Sequence, residues 1–310
     1  MNRDELKEII VGPVAAVPTP FDEDFELDLG RMAAATEFWV ENGAVTGKSV
    51  IKVAAAMGEG PMLSDNEWPH LLRTAVQAAR GKATIAFGIH YKDTKRTIED
   101  AKRAQDLGAV ALQITPPIHN DPTQDDTLRY FGAVSDTIDI GIIVYLNPWF
   151  TYGGIETETI LKMADLEQVA AIKWSVPEGV PYEDMTKFAH IFNVLDNSNA
   201  AVRCYRLGGR GWVGTTLASY PPHDLHIWDL LQVGQFEEAE TLYHEVMDPL
   251  TEFYVKVCKR SGGQGRMDKG MMELMGVPVG ASRPPSLPLS AEEMAELREL
   301  MLSFGWPVQG

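Results

Sequence analysis

The chain has 310 residues, 45% hydrophobic and 23% charged. This is an ordinary globular balance that excludes disordered, collagen-like and disulfide-scaffold classes, and the length fits one large α/β barrel of about 250 residues plus an appendage. Lysine and arginine total 27 against 44 aspartates and glutamates, a net charge of −17, whose field repels phosphate backbones and anionic bilayers, so neither nucleic acid nor membrane is an expected partner. Two cysteines, Cys204 and Cys258, form no disulfide framework. Residues 1–10 carry both charge signs without a leader pattern and no apolar run nears the roughly 18 residues of a membrane span, so a cytoplasmic protein is expected.

Short apolar, β-branched runs alternate with helical patterns along the chain, as in a parallel sheet with crossover helices. In chain order, residues 14–18, 50–56, 84–89, 109–115, 141–146, 169–174, 192–196 and 211–216 read as strands, and eight is the number that closes a (β/α)8 TIM barrel. Between them, the capping-box spacing of Ser64 and Glu67 predicts a helix over 64–80. Asp93 leads into 94–107, Asp125 into 126–137 and Glu156 into 157–166, with Gly81 and Gly108 where helix stops are wanted. Past the eighth strand, residues 225–232, 235–258, 266–275 and 290–304 read as helices with no strand between them. The expectation is an α/β fold with a barrel over 1–224 and a C-terminal helical domain over 225–310, the proline-rich stretch 277–289 being a surface connection before the last helix.

In such a barrel, chemistry sits at the C-terminal ends of the strands. Lys173 ends the sixth run, and period-two alternation puts it on one face with Val169 and Ala171. An ammonium projecting into the mouth beside apolar neighbours loses stability relative to the free amine, which can then attack a ketone. Tyr145 ends the fifth run and shares a face with Asn147, opposite Val144 and Leu146; one strand from an imine-forming lysine it can pass protons. Taken alone, the lysine can equally snorkel to solvent and the tyrosine can satisfy its hydroxyl in the core.

These residues belong to a longer series: Pro18 to Phe21, Gly58-Glu59 with Leu63, Thr115-Pro116, Tyr145 to Pro148, Ile172-Lys173, Leu207 to Gly211, and Arg283-Pro284-Pro285. With it, nearly the whole chain resembles the pyruvate-dependent class I aldolases typified by dihydrodipicolinate synthase and N-acetylneuraminate lyase. The resemblance implies that Lys173 is the imine lysine, Tyr145 the proton-relay tyrosine and Gly211 to Gly214 the strand lining the site opposite them. It further implies pyruvate-type keto acid and aldehyde substrates, no cofactor because the protonated imine is itself the electron sink, and a homotetramer or homodimer.

Three departures separate this chain from most of that family. Ala55-Ala56-Met57-Gly58-Glu59 stands where the family has Gly-Thr-Thr-Gly-Glu, so the hydroxyls that help bind the keto acid's carboxylate are gone at Ala56 and Met57, and backbone amides around Gly58 are left to hold it. Phe150 occupies the place of the arginine that receives an acidic aldehyde, which disfavours lysine biosynthesis and favours an apolar or aromatic partner. Ile118 and His119 stand where a tyrosine pair is usual; His119 is either a proton shuttle or a solvated loop residue. Tyr145-Leu146-Asn147-Pro148, with Arg266-Met267-Asp268, is similar to the hydratase-aldolases of aromatic ylidenepyruvates, in which Asn147 would orient a water or the substrate's oxygen. Trp149, Phe150 and Trp174 either face an aromatic substrate or pack at contacts. Asp196 to Asn199 form a polar mouth, a helix-cap turn, or both.

No metal motif is expected, since His223 and His226 read as a helix start, and Gly208-Gly209-Arg210-Gly211 precedes a strand rather than joining a strand to a helix, against a nucleotide site. Three functions stay open: a Schiff-base lyase for pyruvate and an aldehyde, a dehydratase of a deoxy-sugar acid using the same imine, and a non-catalytic metabolite-binding barrel.

Overall fold

The computed structural model describes residues 1–118, 121–147, 154–263 and 265–309. Eight parallel strands close into a barrel in sequence order: β1 (Gly12–Ala16), β2 (Val50–Val53), β3 (Thr84–Ile89), β4 (Ala111–Ile114), β5 (Gly141–Tyr145), β6 (Val169–Trp174), β7 (Asn193–Asp196) and β8 (Gly211–Gly214). Each lies within the run expected for it except β1, which starts two residues earlier. Helix α1 (Arg3–Ile9) precedes the barrel, and α2 (Leu29–Glu41), α3 (Trp68–Ala79), α4 (Thr94–Asp106), α5 (Gln124–Ser135), α6 (Thr157–Lys162) and α7 (Ala201–Arg206) lie between strands. After β8 come α8 (Thr216–Ser219), α9 (Pro221–Gln232), α10 (Phe236–Cys258), α11 (Gly265–Leu274) and α12 (Ala291–Ser303). None of the described helices is long and apolar enough to cross a membrane.

Two of the helix starts expected between strands are built differently, and α9 begins at Pro221, four residues before the expected 225. The Glu67 carboxylate accepts the Ser64 amide at 2.8 Å, but the Glu67 amide donates to the Ser64 carbonyl instead of its hydroxyl, and α3 begins only at Trp68, with Pro69 in its first turn. The start of α5 is capped by Thr123 instead of Asp125: the Thr123 hydroxyl accepts from the Asp126 amide and the Asp126 carboxylate accepts from the Thr123 amide. Asp93 caps α4 as expected by accepting from the Arg96 amide, and Gly81 and Gly108 take φ of 71° and 97° behind α3 and α4, a conformation that glycine adopts without a Cβ penalty.

The barrel's two faces sort the side chains. Val14, Val50, Ala86, Ala111, Ile143, Ala171 and Leu195 fill the interior, and Leu6 and Ile10 of the N-terminal segment join them, so α1 plugs the end of the barrel away from the strand C-termini. Asn193 ties the plug down, its amide donating to the Lys7 and Ile10 carbonyls at 2.7 and 2.9 Å. The outward residues Val53, Phe87, Leu112, Val144, Ile172 and Val194 pack against the helices in a second core.

Strand β6 breaks the simple alternation. Val169 pairs with Ile142 but Ala171 pairs with Ile143, which leaves Ala170 as an extra residue in a bulge. Val169 therefore faces the helical layer, whereas Ala170 and Ala171 both face the interior. This corrects the expectation that Val169, Ala171 and Lys173 share a face; only Ala171 and Lys173 do.

The expected division at residue 224 falls in the first turn of α9, whose Trp228 and Leu231 pack with Trp212 of β8 and Tyr243 of α10. Beyond it, α10, α11 and α12 build a separate apolar cluster from Leu250, Phe253, Met267, Met271, Leu297 and Met301.

Candidate active site

One inward position beyond the apolar layer, four strands replace aliphatic residues with polar ones: Lys52 after Val50, Gln113 after Ala111, Tyr145 after Ile143 and Lys173 after Ala171. Tyr145 and Lys173 are Cα partners in the β5–β6 ladder, and Lys173 Nζ lies 3.8 Å from the centroid of the Tyr145 ring. Both are buried, at 8% and 5% exposure. Burial, and then the nearby Lys52, hold the Lys173 amine well below the usual 10.5. The ring face favours the ammonium by about 0.5–2 kcal/mol, whereas removing an ion from water costs several kcal/mol even after relaxation. Burial prevails, and the neutral amine is the accessible form.

Burial, and then the neighbouring Tyr91, push the Tyr145 hydroxyl up to about 12. Asn147 is 2% exposed and hydrogen-bonds the Tyr91 side chain, while burial raises the Tyr91 phenol. Tyr91 has a left-handed backbone (φ 58°) and its amide donates to Thr115 Oγ1 at 3.2 Å, which aims the ring from the end of β3 toward Asn147. The structure thus places Lys173 against Tyr145, and Asn147 against Tyr91.

At the end of β2 the chain wraps into a turn. Ala56 is exposed, Met57 half-buried and Gly58 buried. The Gly58 carbonyl accepts the Thr19 hydroxyl at 2.5 Å, and a Cβ on Gly58 would stand 2.2 Å from the Val17 carbonyl oxygen, so only glycine fits. Glu59 closes the turn by donating its amide to the Ala56 carbonyl, while among the described residues the Ala56, Met57 and Gly58 amides have no backbone acceptor. Glu59 also joins the turn to the helical region: its carboxylate lies 2.6 Å from Lys269 Nζ of α11 and accepts the Arg283 amide at 3.2 Å. The Arg283 guanidinium pairs with Glu67 and covers the Phe21 ring, and Arg266 is spent on the carbonyls of Val257, Ser261 and Leu287. Both arginines are structural staples here.

Other expectations resolve differently. Gly214 does not line the interior: a Cβ there would meet Trp212 and Asp224 on the helical side, and it is Val213 that packs against the interior cluster. Parity along β8 overrides the carry-over. Trp174 is a packing residue, edge-on to Phe188 at 5.4 Å. Asp196 is a turn anchor that accepts from Tyr182 Oη and the Ser198 and Ala200 amides. Phe150, with Pro148, Trp149 and Thr151, and His119 with Asn120, lie outside the described residues. Lys52, His90 and Tyr91 were not singled out in the sequence. Lys52 had a signal, a charged residue in the middle of the apolar run Val50 to Ala56 at an inward parity. A cleft of about 270 Å³ is lined by Ala54, Leu63, His90, Tyr91 and Lys92 and adjoins this cluster without including Lys173. Among the described residues no three metal-ligating side chains come together.

A closed parallel barrel with a desolvated amine and a phenol side by side at the strand ends defines a class, the Schiff-base-forming lyases, which make or break carbon–carbon bonds through an imine. The model of the dihydrodipicolinate synthetase family matches residues 10–303, and the chain belongs to that family. It is similar to the 4-hydroxy-tetrahydrodipicolinate synthase of Acidothermus cellulolyticus, 27% identical over 94% of this chain and 92% of the relative. The enzyme of the same name from Cutibacterium acnes is 29% identical over 91% and 93%. Among solved structures, dihydrodipicolinate synthase from Aquifex aeolicus superposes with a TM-score of 0.85 at 23% identity, covering 97% of this chain and 100% of that one.

Proposed function

We propose that the chain joins pyruvate to an aldehyde, or separates them, through an imine on Lys173 with Tyr145 relaying protons. The observation that carries this reading is the buried Lys173 amine 3.8 Å from the centroid of the Tyr145 ring. In the cleavage direction, Lys173 attacks the ketone of a 4-hydroxy-2-keto acid, the carbinolamine loses water, and the resulting iminium accepts the electron pair of the C3–C4 bond as it breaks. The proton of the C4 hydroxyl leaves through Tyr145, and the aldehyde departs. The enamine is then protonated at C3 and hydrolysed to pyruvate and free Lys173. A phenol held near 12 is not a standing phenolate at neutral pH, so Tyr145 hands one proton on as it receives another, with half-buried Tyr91 next in line.

The Ala56, Met57 and Gly58 amides support an anion site for the keto acid's carboxylate in place of the missing hydroxyls, and Asn147 would orient the substrate's oxygen or a water. We take the aldehyde to be apolar or aromatic, because Phe150 stands where the family resemblance puts an arginine. The family resemblance implies a homo-oligomer, either a dimer or a tetramer, in which each chain combines the barrel with the helical region that follows β8.

Borohydride reduction in the presence of pyruvate tests the reading. A permanent mass gain on Lys173, lost in Lys173→Ala, is expected; label on another lysine, or none with any of a panel of 2-keto acids, would overturn it. Release of pyruvate and an aldehyde from a 4-hydroxy-2-keto acid separates the lyase from a dehydratase, which yields no such pair.

A further inference from the structure

The barrel interior contains a second lysine that the reaction above does not use. Lys52 stands on the inner face of β2, is 1% exposed, and its Nζ donates to Gln113 Oε1 at 2.5 Å. The inward positions of the other strands near Lys173 are Val14 and Ala16 on β1, His90 past β3, Gln113 and Thr115 on β4, Tyr145 on β5, Leu195 and Asn197 on β7, and Val213 and Thr215 on β8. His90 and Tyr145 are the other titratable groups of the set, with Tyr91 beside them, and none of the three is a carboxylic acid. Among the described residues no carboxylate acts on either lysine.

Two ammonium ions cannot both be kept in one dry chamber without an anion. Their surroundings decide which of them holds the proton. Lys52 has a carbonyl oxygen fixed in front of it, whereas Lys173 has the face of a ring, and a charge-assisted hydrogen bond outweighs a ring face. We propose that Lys52 is a positioning residue for the imine chemistry: its charge, pinned by Gln113, keeps Lys173 across the barrel in the neutral, nucleophilic form. The inference rests on the reading of Lys173 as the imine lysine.

The electrostatics run the same way. After burial, Lys52 is the group that lowers Lys173; burial brings Lys52 itself to about 7. His90 is driven to about 3 by burial and then by the two lysines, so its ring adds no charge to the balance. The two amines titrate as a pair, and their apparent values belong to the pair.

The test is the rate of pyruvate trapping on Lys173 by cyanoborohydride, followed against pH in the parent, Lys52→Met, Lys52→Arg and Gln113→Glu. Lys52→Met removes the charge and Gln113→Glu neutralises it in place, so in both the acid limb should move up by about one pH unit or more, roughly a tenfold loss of labelling at fixed pH below the limb. Lys52→Arg should keep the parental limb. Should Lys52→Met not fold, Gln113→Glu decides alone. An unmoved limb overturns the inference, including the case in which saturating pyruvate restores Lys52→Met at every pH, which would make Lys52 a carboxylate anchor. Absence of label on Lys173 in the parent at every pH overturns the imine reading and this inference with it, whereas label with an unmoved limb overturns this inference alone.

Discussion

Lys173 and Tyr145 face each other across a single β-ladder step, amine over ring at 3.8 Å, because they are direct Cα partners on β5 and β6. No loop has to close to bring them together. The nucleophile and its proton relay are fixed by the sheet itself, and this preorganisation is what a positioned acid–base pair requires.

Removing the hydroxyl should therefore separate binding from turnover. Tyr145→Phe keeps the ring against Lys173 and loses the proton path, so pyruvate should still be trapped on Lys173 while kcat falls by roughly 10²–10⁴-fold. Steady-state kinetics beside mass spectrometry of the reduced adduct checks this; an unchanged kcat would remove Tyr145 from the reaction.

The pH dependence has a definite sign. Protonated Lys173 cannot attack a ketone, and its folded value lies well below 10.5, so adduct formation should persist as pH falls past the range where an ordinary lysine is already fully charged. It should fade only on passing the lowered value. Trapping rates from pH 5 to about pH 11, set against those for a lysine peptide with the reference value near 10.4, measure the displacement, and a midpoint matching the peptide would contradict a buried amine.

Lys52 should cost stability. Its folded value is lowered to about 7, so the unfolded chain binds the extra proton between about pH 7 and 10.4, and stability rises with pH across that window. Lys52→Met should accordingly raise the melting temperature most at or below neutral pH, with the gain shrinking as pH approaches 10.4. Thermal unfolding at several pH values follows it; a gain independent of pH would mean that the added methyl packing, not the charge, is responsible.

Glu59 and Lys269 are 7% and 5% exposed at the side chain and 2.6 Å apart. Glu59→Gln strands a buried ammonium and should cost about 3–5 kcal/mol in denaturant unfolding, whereas adding Lys269→Met should recover a large part of it. If the double variant is no more stable than the single one, the pair is not what joins the turn after β2 to α11.

The strands were legible because buried parallel strands are continuous apolar runs of the right length, and the pairing of Tyr145 with Lys173 follows from counting them. Position along β6 was harder: Ala170 is an alanine like Ala171, and nothing in the local pattern Val169-Ala170-Ala171-Ile172 marks the bulge. Helix α1 went unseen because only Leu6 of its residues is buried and its charged neighbours read as a polar tail. Gly214 was carried over by resemblance, against the parity that turns Val213 inward. Lys52 was written in the sequence, but a lysine inside a strand looks like an exception until the opposite wall of the barrel is known.

The bulge at Ala170 fixes the phase of the chemistry. From Val169 onward, an uninterrupted zigzag would deliver Lys173 to the helical jacket and Ile172 to the lumen, so one surplus alanine, itself inert, determines which compartment receives the reactive nitrogen. Shortening β6 by that residue would leave a regular zigzag with Lys173 still paired to Tyr145 and turned to the lumen; it is ironing the bulge flat with all six residues kept that would turn the reagent away from its substrate.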